Sequence, residues 1–578
     1  LEHESIRLHG GFKGDLGRGV TYDASYLSGR VSLDRQYRNN LSITRLGRAL
    51  DVVSDPSTGQ PICRSALIAS EHGPSAPDAD SSCVPWDVFA PGHVTAQATA
   101  YLTIPPSMRG SFKEQVSNVN ATVELDRWGI GSPWSDEGSA INIGAEFRKD
   151  AVEFDPDEFS EAGDIAGFGE QVFPISGSID VNEIFGEVRI PVVSGKLVRR
   201  LAFEGGFRQS WYENPESKFS SNAFKLALDL TAVPGVRLRA SRQRAIRAPN
   251  VLELLAPPQP DFFLRDPCAG ASPAASATQC ALTGVTPAQY GHVANFNGLF
   301  EYNAIIGGNE NLRPETATTR TIGIVVQPPF LRGFNATIDW WDIKLNGAIS
   351  KIGAQTIVDS CIAIGDPIFC RRINRDPNGS LGPGGGHVDN RLANLGGLKV
   401  RGIDGSADYS MRLGRLGSAN FAFRGGYVLR WIVDNGGLST PYDCAGLFGA
   451  PCGMQPRWKH TARATWDAPH GITLSLQWRH VGGVKLAALD PQFNLTDQIS
   501  PGHARLRPQD YFDVATAFRV RKGLDLRVGV NNLLDRQPPL VVGNTAAGDG
   551  PYNANTYPTW YDPLGRYIFA SVAVGLKP

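Results

Sequence analysis

Ile472-Thr473-Leu474-Ser475-Leu476-Gln477-Trp478-Arg479 alternates without interruption between apolar and polar side chains, directly after Pro469-His470-Gly471. Successive side chains of a strand point to opposite faces, so this segment carries one apolar and one polar face. Leu524, Leu526, Val528 and Val530 interleave in the same way with Asp525, Arg527, Gly529 and Asn531, behind Arg521-Lys522-Gly523. Phe224, Leu226, Leu228 and Leu230 interleave with Lys225, Ala227 and Asp229, ahead of Val233-Pro234-Gly235. No helical stripe of comparable length occurs, and the chain reads as all-β.

Outward from these segments, about seventeen strands are expected, near 4–12, 19–31, 111–125, 138–150, 176–190, 198–211, 218–231, 235–246, 314–328, 333–346, 396–412, 417–431, 457–467, 471–484, 509–520, 523–532 and 565–577. Tight Pro/Gly turns join some neighbours. Far longer segments, roughly 32–109, 247–312, 347–394, 432–456, 485–508 and 533–564, join the others. Short turns alternating with long loops fit a transmembrane antiparallel up-and-down β-barrel with periplasmic turns and extracellular loops. A soluble β-sandwich rarely keeps one whole side of its connections so long. Bacterial single-chain barrels have even strand numbers, so seventeen predicts a chain that does not close a barrel alone.

Composition agrees with this reading. The chain has 578 residues, 42% hydrophobic and 20% charged, with 56 basic and 57 acidic side chains and a net charge of −1. Counted as soluble domains of about 150 residues, it would hold about four. The balanced charge gives no electrostatic reason to expect nucleic acid, and the apolar and aromatic content excludes a disordered chain. No run approaches the roughly 18 consecutive apolar residues of a helical span, a test that barrel strands escape because their apolar residues alternate. Membrane strands need only about 9–11 residues, so most of the remaining length is expected outside the bilayer. The opening Leu1-Glu2-His3-Glu4-Ser5-Ile6-Arg7-Leu8 lacks the basic and apolar regions of a leader and already reads as a strand, which predicts a chain beginning within a longer protein.

The eight cysteines form four close couples: Cys63 and Cys83, Cys268 and Cys280, Cys361 and Cys370, Cys444 and Cys452. All four couples fall in the long-loop class. An even count in locally nested pairs predicts four loop-stapling disulfides made in an oxidising compartment. Neighbour pairing closes the shortest loops, although eight cysteines allow 105 connectivities. Metal-ligand doublets are absent from the spacing, so no metal site is expected there.

Other residues are candidates for binding. Phe262, Phe263, Tyr290, Phe296, Phe300 and Tyr302, with Trp86, Trp431, Tyr442 and Phe448 beside the cysteine couples, could form an aromatic platform for substrate above the lumen. Loop-on-loop packing is the competing and preferred use of these rings. Arg237, Arg239, Arg242, Arg244 and Arg247 are read as a basic ladder on the lumen side, facing an anionic substrate or a plug supplied elsewhere, or else lumen carboxylates such as Asp229 and Glu204. Asp155, Asp157, Glu158, Glu161 and Asp164 could gather Ca²⁺, but the run lacks the order of a calcium loop and is expected to be a solvated acidic segment. Trp340, Trp478, Tyr511 and Tyr567 are expected in the interfacial girdle or barrel wall. Gly382-Pro383-Gly384-Gly385-Gly386-His387 lacks the Lys-Ser/Thr of a phosphate loop and reads as a flexible linker. Zinc spacings and a nucleophile elbow are missing, so neither an enzyme nor a cofactor is expected.

Several motifs together resemble the TonB-dependent outer-membrane receptors, in the branch with long, cysteine-paired loops. Arg247-Ala248-Pro249-Asn250 with Glu253-Leu254 is similar to that family's "RAPN…EL" strand exit. Gly308-Asn309-Glu310-Asn311-Leu312-Arg313-Pro314-Glu315 is similar to its "GNPNLKPE" segment, and Trp340-Trp341-Asp342-Ile343 to its "DYYDI" strand. Asn532-Leu533-Leu534-Asp535, Pro538-Pro539, Tyr561-Asp562 and Leu564-Gly565-Arg566-Tyr567 match its closing hairpin. The resemblance implies a barrel of about 22 strands in the whole receptor. It also implies an N-terminal plug and a TonB-box segment that engages TonB, neither visible in this chain, together with outer-membrane lipid as surroundings. The chain is therefore expected to be the C-terminal barrel part, residues 1–578, with the plug and about five strands supplied elsewhere. It ends on Pro578 in place of the family's terminal aromatic. The implied function is energised uptake of a scarce nutrient, such as a ferric siderophore, cobalamin, oligosaccharide or peptide. A passive porin and a surface-loop adhesin or phage receptor stay open as alternatives.

Overall fold

A computed structural model describes residues 1–89, 92–167, 171–195, 198–297, 302–382, 385–436, 440–449, 451–490, 492, 504–521, 523–541 and 556–575. Phe300 and Pro578 lie outside the described residues. Seventeen long strands follow one another as a single antiparallel meander: β1 Glu2–Gly17, β2 Val20–Gln36, β3 Ser107–Glu124, β4 Ala140–Pro156, β5 Ile175–Val193, β6 Arg200–Glu213, β7 Lys218–Val233, β8 Val236–Arg247, β9 Glu315–Val326, β10 Phe334–Ser350, β11 Ala393–Arg412, β12 Ser418–Asp434, β13 Trp458–Ala468, β14 Ile472–Val481, β15 Gln509–Arg521, β16 Leu524–Asn531 and β17 Tyr567–Val574. Each pairs with its sequence neighbour, and the two-residue strand Tyr442–Asp443 adds to the loop end of β12. Every predicted strand is present. The first runs five residues further than expected at its turn end because Gly17, Arg18 and Gly19, all at positive φ, make the bend.

The wall is inside out relative to a soluble protein. Antiparallel partners share a face, so Leu226 sits beside Arg242, Trp478 beside Phe512 and Leu476 beside Val514. The apolar face is the bare one: Leu228 is 50% and Leu476 46% exposed. The opposite face is polar and hydrogen-bonded across strands. Asn142 donates to Asn120 Oδ1 and Thr122 Oγ1, Lys225 pairs with Glu204 at 3.1 Å, and Arg208 pairs with Glu183 at 2.6 Å. Trp340 and Trp478 are on the apolar outer face, as expected of girdle residues. Tyr511 and Tyr567 share register with Arg479 and Asn531 on the inner face, so these two are lumen residues and not part of the girdle.

Seventeen strands make β1 and β17 parallel to each other. Among the described residues no pairing joins them, and both are exposed along their length. Two rims result. The turn rim carries 18–19, 125–139, 194–199, 234–235, 327–333, 413–417, 469–471 and 522–523; the loop rim carries all the longer connections. The expected alternation of lengths has two exceptions. Asn214–Ser217, on the loop rim, is a tight turn closed by Asn214 Oδ1 accepting from the Glu216 and Ser217 amides. The connection 125–139, on the turn rim, is long enough to hold the 3-10 turn Leu125–Trp128.

The face assignment has a direct test. Leu476→Arg places a guanidinium at mid-height on the apolar face and should lower barrel stability by about 2–4 kcal/mol in vesicles. Ser475→Arg, one residue away on the lumen face, should cost less than about 1 kcal/mol. Urea unfolding of the refolded barrel reads both, and equal losses would refute the assignment.

Candidate functional site

The loop rim is held by one charged knot. Arg247, the last residue of β8, donates from Nε and Nη2 to the Glu315 carboxylate at 2.8 Å each, and from Nη1 to Glu253 at 2.8 Å. Glu315 opens β9 and also accepts from the Ile349 amide of β10. Asn250 caps the helix Val251–Leu255 while Glu253 reaches back to the Asn250 amide, a reciprocal capping box. The Gly308 amide donates to Ala256 O and the Asn309 amide to Glu253 O. A Cβ on Gly308 would lie 2.8 Å from Ala256 N, so only glycine permits this approach. Leu254 and Leu312 are buried beneath, with Ile179, Val181 and Tyr212 of the wall. The two most recognisable segments of the sequence are thus halves of one clasp closing the base of the 248–314 loop.

Three folded loop units stand on this rim, and each has a core and at least one disulfide. In the first, helices Ile43–Leu50, Arg64–His72 and Ala96–Leu102 enclose Ala49, Tyr101 and Leu102 around Cys63–Cys83. Asp80 accepts from Tyr101 Oη at 2.8 Å and pairs with Arg48 at 3.1 Å. Burial pushes the Asp80 carboxyl up, but hydrogen bonds from Ser82, Tyr101 and Arg48 outweigh it and hold the group below the usual aspartate range. Burial and the same contact push Tyr101 up to about 12.

The second unit joins loops 248–314 and 351–392 through a four-stranded sheet of Gln259–Phe263, Tyr302–Ile306, His387–Asp389 and Ile373–Asn374. It contains Cys268–Cys280 and Cys361–Cys370. Its centre is an ion pair wholly out of solvent: Arg375 Nη1 lies 2.6 Å from Asp266, and the guanidinium also donates to Thr283 O and Gly379 O. The third unit joins loops 435–457, 482–508 and 532–566 around Phe448, Met454, Val484, Leu486, Tyr557 and Tyr561, with Cys444–Cys452 at its side. Asn532, fully buried at φ 51°, turns the chain here and exchanges hydrogen bonds with Arg536 through its side chain.

These cores decide the aromatic candidates. Phe263, Tyr302 and Tyr442 are buried, and Phe296 and Tyr290 pack on the second unit's core, with Tyr302 Oη accepting from the Phe296 amide. Phe448 is the centre of the third unit, Trp431 leans on the Cys444–Cys452 cluster, and Trp86 packs in the first. The rings therefore serve loop packing, the preferred reading; Phe262, 46% exposed, is the exposed one among the described candidates. The glycine-rich segment is not a loose linker at its described ends: Asn303 Nδ2 donates to both Gly382 O and Gly386 O. The acidic run is structural as well. Asp157 caps Glu158–Ala162, and Asp164 accepts from Ser42 and Thr44 of the first unit. Among the described residues no acidic, His or Cys cluster is arranged for a metal.

The arginine ladder divides between faces. Arg237 pairs with Asp229, and Arg239 forks onto Asp339 at 2.8 and 2.6 Å, both inside. Arg242 and Arg244 are in register with Leu226 and Phe224 and point outward, because successive residues of a strand alternate faces and these two occupy the even positions, as Leu238 does. Glu204, expected as an arginine partner, takes Lys225 instead.

A feature that alternation alone did not reveal is a recess of about 610 Å³ on the lumen side near the loop rim. It is lined by Thr337, Asp404, Arg424, Lys459, Thr461 and Trp560 among others. Lys459 Nζ lies 5.2 Å from the Trp560 ring. Below it Arg479 spans Asp513 of β15 and Asp562 of the closing loop, at 2.8 and 2.6 Å, and stacks over Tyr511. Trp560 is therefore carried into the lumen by a loop whose base Arg479 anchors. The recess can offer a cation, an aromatic face and hydroxyls to a polar ligand.

Two outcomes are expected. Arg247→Ala leaves Glu315 buried without its cation and should destabilise the barrel by about 1–3 kcal/mol, less than a fully buried pair because the arginine is half exposed; the urea midpoint measures this. Asp80, Asp389 and Asp443 are all held below the ordinary aspartate value of 3.8, burial being outweighed by hydrogen bonds to each carboxylate. Depressed carboxyls stabilise above that value and lose this as pH falls through their folded values. Pepsin cleavage of the loops should accordingly rise steeply below about pH 3.8 while the barrel's strand content by circular dichroism is unchanged.

The family model described as "TonB dependent receptor-like, beta-barrel" matches residues 9–533. No curated protein matches the chain. Among solved structures, a mutant of the ferric enterobactin receptor PfeA from Pseudomonas aeruginosa covers 99% of this chain at 14% identity and a TM-score of 0.56. The siderophore receptor PirA from Acinetobacter baumannii covers 99% at 13% identity and a TM-score of 0.54. This chain spans 61% and 62% of those two chains. At these identities the likeness is one of fold. The family match over nearly the whole length, on a seventeen-stranded wall with a polar lumen and stapled loops, makes this chain a member of the TonB-dependent receptor-like β-barrel family.

Proposed function

We propose that the chain forms the barrel part of an outer-membrane receptor that takes up a scarce nutrient, with the loop rim outside the cell. The single observation that carries this reading is the rim itself: three stapled, separately cored units around a polar recess. A diffusion pore needs no such investment in folded loops, whereas a high-affinity receptor needs a rigid, pre-organised surface. Uptake is energised by TonB through a segment outside this chain, with a plug in the lumen. The structural relatives are named for ferric enterobactin and siderophores, and a ferric siderophore is the first class to test among cobalamin, oligosaccharide and peptide. The recess at Lys459 and Trp560 is the inner ligand contact, and Phe262 the outer one.

Radiolabelled uptake with a panel of ferric siderophores, cobalamin and maltodextrins tests the reading in cells expressing the full receptor. One panel member should accumulate, and a protonophore or loss of TonB should abolish it. Flux that persists under both treatments would favour a passive channel. Lys459→Ala with Trp560→Ala should weaken binding of that solute about tenfold or more, with the barrel's urea midpoint unchanged.

A further inference from the structure

At the level of the recess one row of the lumen face runs Gly323 of β9, Asp339 of β10, Asp404 of β11, Gly426 of β12 and Lys459 of β13, each opposite the next. Its charges do not all find partners within the wall. Asp339 is taken by Arg239, at 2.8 and 2.6 Å. The other arginines nearby are committed as well: Arg424 pairs with Asp408 at 2.8 Å, and Arg479 with Asp513 and Asp562. Asp404 and Lys459 are left over. Among the described residues neither makes an ion pair or a hydrogen bond, and Lys459 has the Trp560 ring beside it.

Gly426 holds the two charges apart with open space between them. A Cβ at Gly426 would lie 2.8 Å from Asp404 Oδ1, so a larger residue would fill the gap. Side chains stand roughly perpendicular to a sheet, so groups two strands apart are separated by about 9.6 Å. A charge-assisted hydrogen bond of about 2.8 Å at each end leaves about 4 Å for a bridging group. The ammonium and carboxylate of a single α-amino acid span about 3 Å, whereas those of a dipeptide span about 6–7 Å because one more residue step intervenes. The gap therefore suits one carbon that carries both charges. Thr337, Ser406 and Thr461 line the same recess, whose volume of about 610 Å³ is several times that of such a group. The body of a larger solute has room there, against hydroxyls and the Trp560 ring.

We propose that the recess recognises its solute through a free α-amino-carboxylate group, with the ammonium on Asp404 and the carboxylate on Lys459. The ligand is then a solute whose scaffold ends in an unblocked amino acid. This names the ligand chemistry of the recess in the receptor reading above and rests on that reading.

Ligand-observed saturation-transfer NMR on the purified full receptor in detergent tests the pair. The probe is L-norvaline, compared with its N-acetyl and amide forms. Norvaline should bind saturably, and blocking either end should weaken binding at least tenfold. Asp404→Asn should remove the preference for norvaline over the N-acetyl form and keep that over the amide. Lys459→Gln should do the converse, and Gly426→Ala should abolish binding. The urea midpoints of all three variants should match the wild type. Equal binding of the three probes, or no saturable binding because a plug covers both groups, would overturn the proposal. Unchanged discrimination in the Asp404 and Lys459 variants would overturn it too. Uptake separates this from the receptor reading. TonB-dependent accumulation of a solute without norvaline discrimination defeats the inference alone. Norvaline discrimination without TonB-dependent uptake of any solute defeats the receptor reading and leaves an amino-acid site.

Discussion

Backbone amides and carbonyls inside a bilayer have no water to bond to, so each must be paired within the wall. Among the described residues the meander of seventeen strands meets this demand by pairing each strand with its neighbours and leaves open edges at β1 and β17. The same demand sets which side chains are tolerated. Because the inner strands of the wall are each locked by two ladders, side chains alternate apart from a few bulges, and apolar residues face outward while Asn, Arg and Glu pair across the lumen face. Residues that would form a soluble core are therefore the exposed ones here, and the real hydrophobic cores lie in the loops.

The loops can be long because they are anchored and stapled. Arg247 ties the exit of β8 to the entry of β9 through Glu315 and to the first loop helix through Glu253. Beyond that clasp, disulfides and the buried Arg375–Asp266 pair reinforce the apolar core shared by two loops. Short local disulfides reduce the entropy of the open loop ensemble by about 2–3 kcal/mol each. The rim is consequently a set of separately cored, stapled units around a partly polar recess.

Much of this was legible in the sequence, for physical reasons that apply residue by residue. Ile472 to Arg479 alternates because the wall has two unlike surfaces, so strand, face and turn could all be read there. Neighbouring cysteines paired as expected because each couple sits in one loop. The arginine ladder was less legible. Five arginines at short spacing look like one feature, yet parity places Arg237, Arg239 and Arg247 inside and Arg242 and Arg244 outside. Counting positions from the apolar residues of β7 would have separated them. The loop aromatics could be weighed towards packing but not assigned ring by ring, because a ring in a loop sequence carries no mark of whether a second loop covers it.

The architecture was readable from the chain alone, since period-two alternation and tight turns are local properties that backbone sterics tie to strands and hairpins. Whatever depends on contacts between distant segments emerged with the folded molecule. Phe263 and Tyr302 became core because loops 248–314 and 351–392 share a sheet, and Lys459 met Trp560 because Arg479 fastens the last loop to the wall. Arg242 met Arg320 because the register of two strands aligned them. Register and loop docking are set by the sum of many side-chain contacts across the fold, and no local pattern encodes that sum.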